Sequence, residues 1–318
     1  MNKQRRLFLN QMSLMAGIVA LNRPLISMAS VSKRIYTLHL AQHAVTIYHT
    51  NDLHGKMDAV YNNTGGINHI KNILLKQETS GLLLDAGGFL DSSQSLTQQQ
   101  NLIYAMNQMG YHAVTVGDHE LANGQAHLTA LAQLMNFKLV NCNYRFDDNL
   151  SKWVKPYLII YSGKFKVGIT GVGRQLSGIL YHDAIQSANQ MAALLKEKEK
   201  CDMVICLSHL GYKQAGDTPD NKKLARQSEH IDMIIGGHNR KLTGEPIMLL
   251  NKRKHEVVLA QAAWDGLMMG KTEFAFENGK QKCGLKARYL IAAPPTKQTF
   301  ADSYAAIRLK ENLLKNVS

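Results

Sequence analysis

The chain has 318 residues, 45% of them hydrophobic, and carries a formal charge of +13. That is enough to bury a sizeable core as one large domain or two small ones, and the positive balance suits anionic partners. The positive charges are scattered, without the aromatic-interleaved basic stripe of a nucleic-acid binder, so no nucleic-acid partner is expected. The densest cluster, Lys252-Arg253-Lys254, reads as a turn between strands.

The first 29 residues contain Lys3, Arg5, Arg6 and Arg23 and no acidic residue. A basic head, a short apolar middle and Ser27-Met28-Ala29 spell an export signal cleaved after Ala29, so no stable membrane insertion is expected after cleavage. Gln4-Arg5-Arg6-Leu7-Phe8-Leu9 resembles the twin-arginine type, which points to a periplasmic destination. Residues 30–44 then read as a linker. Cys142, Cys201, Cys206 and Cys283 form no Cys-x-x-Cys pair, which argues against a zinc ribbon.

From residue 45 strands and helices alternate. Strands are expected at 45–49, 82–84, 113–116 and 139–142, and helices at 66–77, 96–109 and 126–135. Residues 157–161 and 166–170 flank Ser162-Gly163-Lys164 as a hairpin. Helices at 184–200 and 221–227 and strands at 203–207, 231–235, 257–259 and 271–276 complete the domain, which is taken as 45–277. Residues 278–318 read as an extension with a weakly amphipathic helix at 300–315. Alternation followed by late antiparallel strands suggests an α/β sandwich.

The strand ends carry the chemistry. The strand at 45–49 delivers Asp52, His54 and Gly55, and that at 82–84 delivers Asp85, Gly87 and Gly88. The next ends in Gly117-Asp118-His119-Glu120, and two later ones in Ser208-His209 and Gly236-Gly237-His238-Asn239-Arg240. Imidazoles and carboxylates suit zinc, manganese or iron, and α/β folds place their sites beyond the carboxyl ends of strands. Each histidine alone is equally consistent with a structural role; five such ends in one chain are not readily coincidental.

At these residues the chain resembles the calcineurin-like metallophosphoesterases, in their exported 5′-nucleotidase branch. The family pattern is Asp-x-His, Gly-Asp, Gly-Asn-His-Asp/Glu, a lone His, then Gly-His-x-His. Asp52-Leu53-His54, Gly117-Asp118-His119-Glu120, His209 and Gly237-His238 match it, and Gln261 through Gly270 looks like the strand closing the catalytic domain. The resemblance implies a four-layer α/β/β/α sandwich with a two-metal site between its sheets. It also implies hydrolysis of small phosphate esters or nucleotides by metal-activated water. His119 would serve the leaving oxygen, with Glu120 orienting its ring.

Three positions depart from the pattern. The bridging aspartate becomes Gly88, the asparagine becomes Asp118, and the last histidine becomes Arg240. Carried over position by position, the first metal keeps Asp52 and His54, and the second keeps Asp118, His209 and His238. One ion is therefore expected rather than two, with Arg240 replacing the other by pairing with Asp52 and donating to phosphate. Asp85 or Asp91 is the alternative bridge. The alternative to an enzyme is a non-catalytic descendant that binds an anion, a metal or a partner protein. The residues after Phe276 are expected to be too few for the base-stacking second domain of the 5′-nucleotidases.

Overall fold

The computed structural model describes residues 43–61, 63–277 and 281–293. The expected export signal and the expected helix at 300–315 lie outside these residues.

Two sheets face each other. In chain order the strands of the first half are β1 (Ala44–Thr50), β2 (Leu82–Asp85), β3 (Ala113–Thr115), β4 (Lys138–Val140), β5 (Tyr144–Arg145) and β6 (Val154–Lys155). Then follow β7 (Tyr157–Ser162), β8 (Phe165–Gly173), β9 (Leu180–Tyr181), β10 (Met203–His209) and β11 (Met233–Gly236). The chain closes with β12 (Ile247–Leu250), β13 (Glu256–Ala260), β14 (Met268–Phe276) and β15 (Lys282–Ile291). The first sheet runs β15-β14-β1-β2-β3-β4-β6, the second β12-β13-β11-β10-β8-β7, and β5 pairs with β9 apart from both.

The period of two in each strand explains the layering. Val45 and Ile47 of β1 and Leu82 and Leu84 of β2 point between the sheets. There they meet Val167 and Ile169 of β8, Met203, Ile205 and Leu207 of β10, and Met233 and Ile235 of β11. The intervening residues point outward. Tyr48 and Leu83 meet α1 (Ile67–Leu75), α2 (Leu96–Met109) and α4 (Gln125–Ala132). Val204, Cys206 and Ile234 meet α5 (Ala184–Ala193) and α6 (Asn221–Gln227). Strands buried on both faces read as continuous apolar runs, as Leu82-Leu83-Leu84 does. The result is the expected four-layer α/β/β/α sandwich.

Helix ends follow their local sequence. Ser95 and Gln98 form a reciprocal capping box at the start of α2, and Gly110 closes it in the left-handed conformation. Asp183 and Asp220 accept the N3 amides of α5 and α6. The helix expected at 184–200 is α-helical only to Ala193 and continues as a π turn over Leu194–Lys198.

One boundary differs from expectation. The domain does not end at 277: β15 adds an edge strand to the first sheet, paired antiparallel with β14. Its residues Lys282-Cys283-Gly284 lack the apolar run that marks a central strand, and edge strands need none. Beyond β15, the Ala292 carbonyl accepts the amide of Gly65, 2.7 Å away. All four cysteines are free thiols.

Candidate metal centre

β2, β3 and β4 run parallel to β1, and β10, β11 and β13 run parallel to β8. Their carboxyl ends meet at one edge of the sandwich, where the chemistry-bearing residues gather. A short helical turn, α3 (Asp118–Leu121), begins there after β3.

Beyond β1 the chain lies against the segment leaving β2. The amides of Asp52, His54 and Gly55 donate to the carbonyls of Gly87, Gly88 and Phe89 at 2.8–2.9 Å. Asp52, His54, His238 and Asp265 all have positive φ, between 45° and 88°. Left-handed backbone in non-glycine residues stores strain and clusters at functional sites. The Asp265 amide donates to the Asp52 carbonyl at 2.7 Å, so two of these turns brace each other.

Asp118, His209 and His238 converge, with one ligand atom from each lying within 4.8 Å of the others. His209 Nδ1 faces the Ala86 carbonyl at 2.8 Å, and its Nε2 faces Asp118 Oδ1 at 3.0 Å. The carbonyl fixes the ring and turns Nε2 inward, as outer contacts of a ligating histidine do. Asp118 Oδ2 lies 3.5 Å from His238 Nδ1. Burial alone would raise the Asp118 carboxyl, but His209 and His238 hold it well below the usual carboxylate range. Burial opposes charge on His209, yet the Asp118 bond and the nearby Asp52 push it up to about 9. An anionic carboxylate and two imidazoles around one point are a donor set that would hold a divalent cation.

The remaining expected ligands sit beside this group. Asp52 Oδ1 lies 4.0 Å from both His54 Nε2 and His209 Nε2. His54 Nδ1 is 2.8 Å from Asp265 Oδ1, which turns its Nε2 inward. The His119 ring lies against His54, tilted by 54° with centroids 4.8 Å apart.

Gly88 faces into the centre. A Cβ there would sit 2.8 Å from Asp52 Oδ1 and 2.9 Å from His209 Cε1, and its φ is +70°. A side chain at this position would project between the two halves of the site, where a bridging carboxylate is wanted. Neither alternative bridge supplies one. Asp85 is fully buried and bound to the Thr50 hydroxyl and the Gly87 amide. Asp91 accepts from Ser93 and pairs with Lys56 at 3.8 Å.

Two expected roles are corrected. Arg240 is exposed and makes no ion pair with Asp52. The oxygens of Asp52 are taken instead by the His238 amide and the Asn51 side chain, each at 2.9 Å. Glu120 does not orient His119. Its carboxylate accepts the amides of Gly88, Leu90 and Gly117 at 2.8–3.0 Å, fastening the β2 and β3 loops together. Two site residues escaped the sequence reading. Asp265 was marked only by the Asp-Gly turn it opens, and Arg174, whose Nη1 lies 2.6 Å from His238 Nε2, by nothing but its place after β8.

The family model described as calcineurin-like phosphoesterase matches residues 45–239. A trifunctional nucleotide phosphoesterase of Bacillus subtilis is 25% identical in an alignment 276 positions long that covers 73% of this chain and 18% of that protein. A 5′-nucleotidase of Vibrio cholerae is 24% identical in an alignment 273 positions long that covers 74% of this chain and 49% of that protein. The chain thus spans half or less of the length of these relatives. Among solved structures, a 5′-nucleotidase precursor from Thermus thermophilus superposes with a TM-score of 0.70 at 23% identity, covering 86% of this chain and 59% of that one. A sulfate thiohydrolase from the same genus superposes at 0.64 with 14% identity, over 86% of this chain and 61% of that one. At such identities the superpositions speak for the fold, which hosts more than one chemistry.

Proposed function

The chain belongs to the calcineurin-like phosphoesterase family, and on that premise we propose that it is an exported, metal-dependent phosphoesterase acting on small phosphate monoesters, nucleotides among them. The observation that carries this reading is the convergence of Asp118, His209 and His238, with His209 Nε2 turned inward by the Ala86 carbonyl. Three protein ligands with room for a further one are the donor set of a catalytic ion. Zinc, manganese or iron bound there supplies Lewis acidity, which activates water and draws charge from the phosphoryl oxygens.

The chain's own residues divide the remaining work. Asp52 anchors the His238 backbone amide and adds negative charge beside the ligands. Asp265 fixes the His54 ring, and the His119 ring packs against His54 in a tilted contact. His119 is the proton donor to the leaving oxygen, being half-buried at the rim. One ion is expected rather than two, because Gly88 brings no carboxylate and Arg240 lies out in solvent.

Gly88 also favours a second reading, a non-catalytic descendant that retains the cation or an anion without turnover. Metal content of the purified protein and hydrolysis of an aryl phosphate with added manganese or zinc separate the two. One equivalent of metal with turnover supports the enzyme. Bound metal without turnover supports the descendant, and no metal with no turnover overturns the enzyme. Export rests on the N-terminal sequence, and cell fractionation of the tagged protein tests it; retention in the cytoplasm rejects it. Among the described residues no helix is long and apolar enough to cross a membrane.

A further inference from the structure

Arg174 Nη1 lies 2.6 Å from His238 Nε2. A guanidinium only donates, so Nε2 is the acceptor and the ring proton sits on Nδ1. That nitrogen faces Asp118 Oδ2, 3.5 Å away. A neutral imidazole has one lone pair in its plane, and here it is directed at Arg174. For His238 to take a cation through Nδ1 beside Asp118 and His209, its proton must move to Nε2. Nε2 would then point an N–H at a group that cannot accept it. A cation taken through Nε2 would stand where Nη1 now stands. In either arrangement His238 serves Arg174 or the cation, never both.

The backbone beneath Arg174 is held firmly. Tyr144 Oη donates to the Arg174 carbonyl. Asn143 accepts the Gly173 amide at 2.8 Å and donates to the Gly173 carbonyl at 2.9 Å. The side chain, by contrast, is exposed, and among the described residues its guanidinium has His238 as its hydrogen-bond partner. An anchored Cα with a free head at the rim of a cation site is built to swing over a short arc.

We propose that Arg174 is the phosphate-positioning residue of this centre, resting on His238 until a divalent cation displaces it. The proposal rests on the metal-dependent reading above. Displaced from the ring, the fork of N–H donors stays within reach of any phosphate lying on the cation and grips two of its oxygens. It takes the part first expected of Arg240, and it suits the two free oxygens of a terminal monoester better than the shielded phosphorus of a diester. The positive charge also stands in for part of what a second ion would bring.

Calorimetric titration of zinc into chelator-stripped wild type and Arg174→Ala, then of inorganic phosphate into the zinc-loaded proteins, tests this. Arg174→Ala is expected to bind zinc roughly fivefold more tightly, since a charged hydrogen bond no longer competes. Zinc-loaded Arg174→Ala should bind phosphate about tenfold more weakly, with Arg174→Lys between it and wild type. Equal or weaker zinc binding by Arg174→Ala overturns the competition, and unchanged phosphate affinity overturns the positioning role. Zinc bound equally by both leaves the metal-dependent reading standing, whereas no uptake by either removes that reading and this proposal together.

Discussion

Asp118 Oδ1 and the Ala86 carbonyl approach opposite nitrogens of His209, at 3.0 and 2.8 Å. Two acceptors facing the two ring nitrogens are satisfied together only by the doubly protonated imidazolium. This agrees with the ring's elevated pKa of about 9. A cation at Nε2 must therefore displace a proton at neutral pH.

The apparent metal affinity should accordingly rise by about tenfold per pH unit from pH 7 until it levels off near the pKa of His209. Calorimetry in buffers of different ionisation enthalpy should also show about one proton released per ion at pH 7. PH-independent affinity with no proton release would contradict the geometry.

Gly88→Asp places a carboxylate where the family resemblance expects the bridge but meets the present site head-on. Its Cβ would fall 2.8 Å from Asp52 Oδ1, on a backbone with φ of +70°. We expect a loss of about 1–3 kcal/mol in stability for the chelator-stripped variant, read by urea unfolding. Added zinc should recover part of that loss by separating the Asp52 and His209 groups, and metal stoichiometry should move towards two. A variant as stable as wild type without metal would show that the loop is looser than its contacts indicate.

Glu120 ties three amides from two loops with one buried carboxylate. Glu120→Ala leaves those donors unsatisfied and should cost several kcal/mol, lowering the thermal midpoint and metal affinity together. Loss of turnover with an unchanged midpoint would return Glu120 to the expected role of orienting His119.

Asp85 gives a pH signature of its own. Burial outweighs its bonds to Thr50 and Gly87 and raises the carboxyl from 3.8 to about 7. Between those values the folded chain binds more protons than the unfolded one. Its stabilising contribution is complete below pH 3.8 and is lost as pH rises through 7. Asp85→Asn mimics the protonated acid, its oxygen taking the Gly87 amide and its nitrogen donating to Thr50. Urea unfolding at pH 5 and pH 8 should therefore show a smaller drop for Asp85→Asn than for wild type, the difference amounting to a few kcal/mol. Equal drops would mean that Asp85 is ionised across the range.

Much of the sandwich was legible because its strands are short, apolar and buried on both faces, and α2 and α6 fall where periodicity put them. The strands that escaped notice are at edges or margins. β15 and β12 carry alternating exposed residues such as Lys286, Met248 and Leu250, and β5, β6 and β9 span two residues each. Pairing defines such strands more than composition does.

The linear chain determined the family, the layer order and the identity of the ligand-type residues at each strand end. Those depend on local patterns: apolar runs of period two, glycines at turns, and Asp and His immediately beyond them. Which of these residues meet was decided by the tertiary structure, because hydrogen-bond geometry across loops leaves no trace in spacing. Both Arg174 and Arg240 follow strands at the same edge. Asn143 and Tyr144 hold the backbone at 173–174 so that one guanidinium reaches His238, while the other extends into solvent.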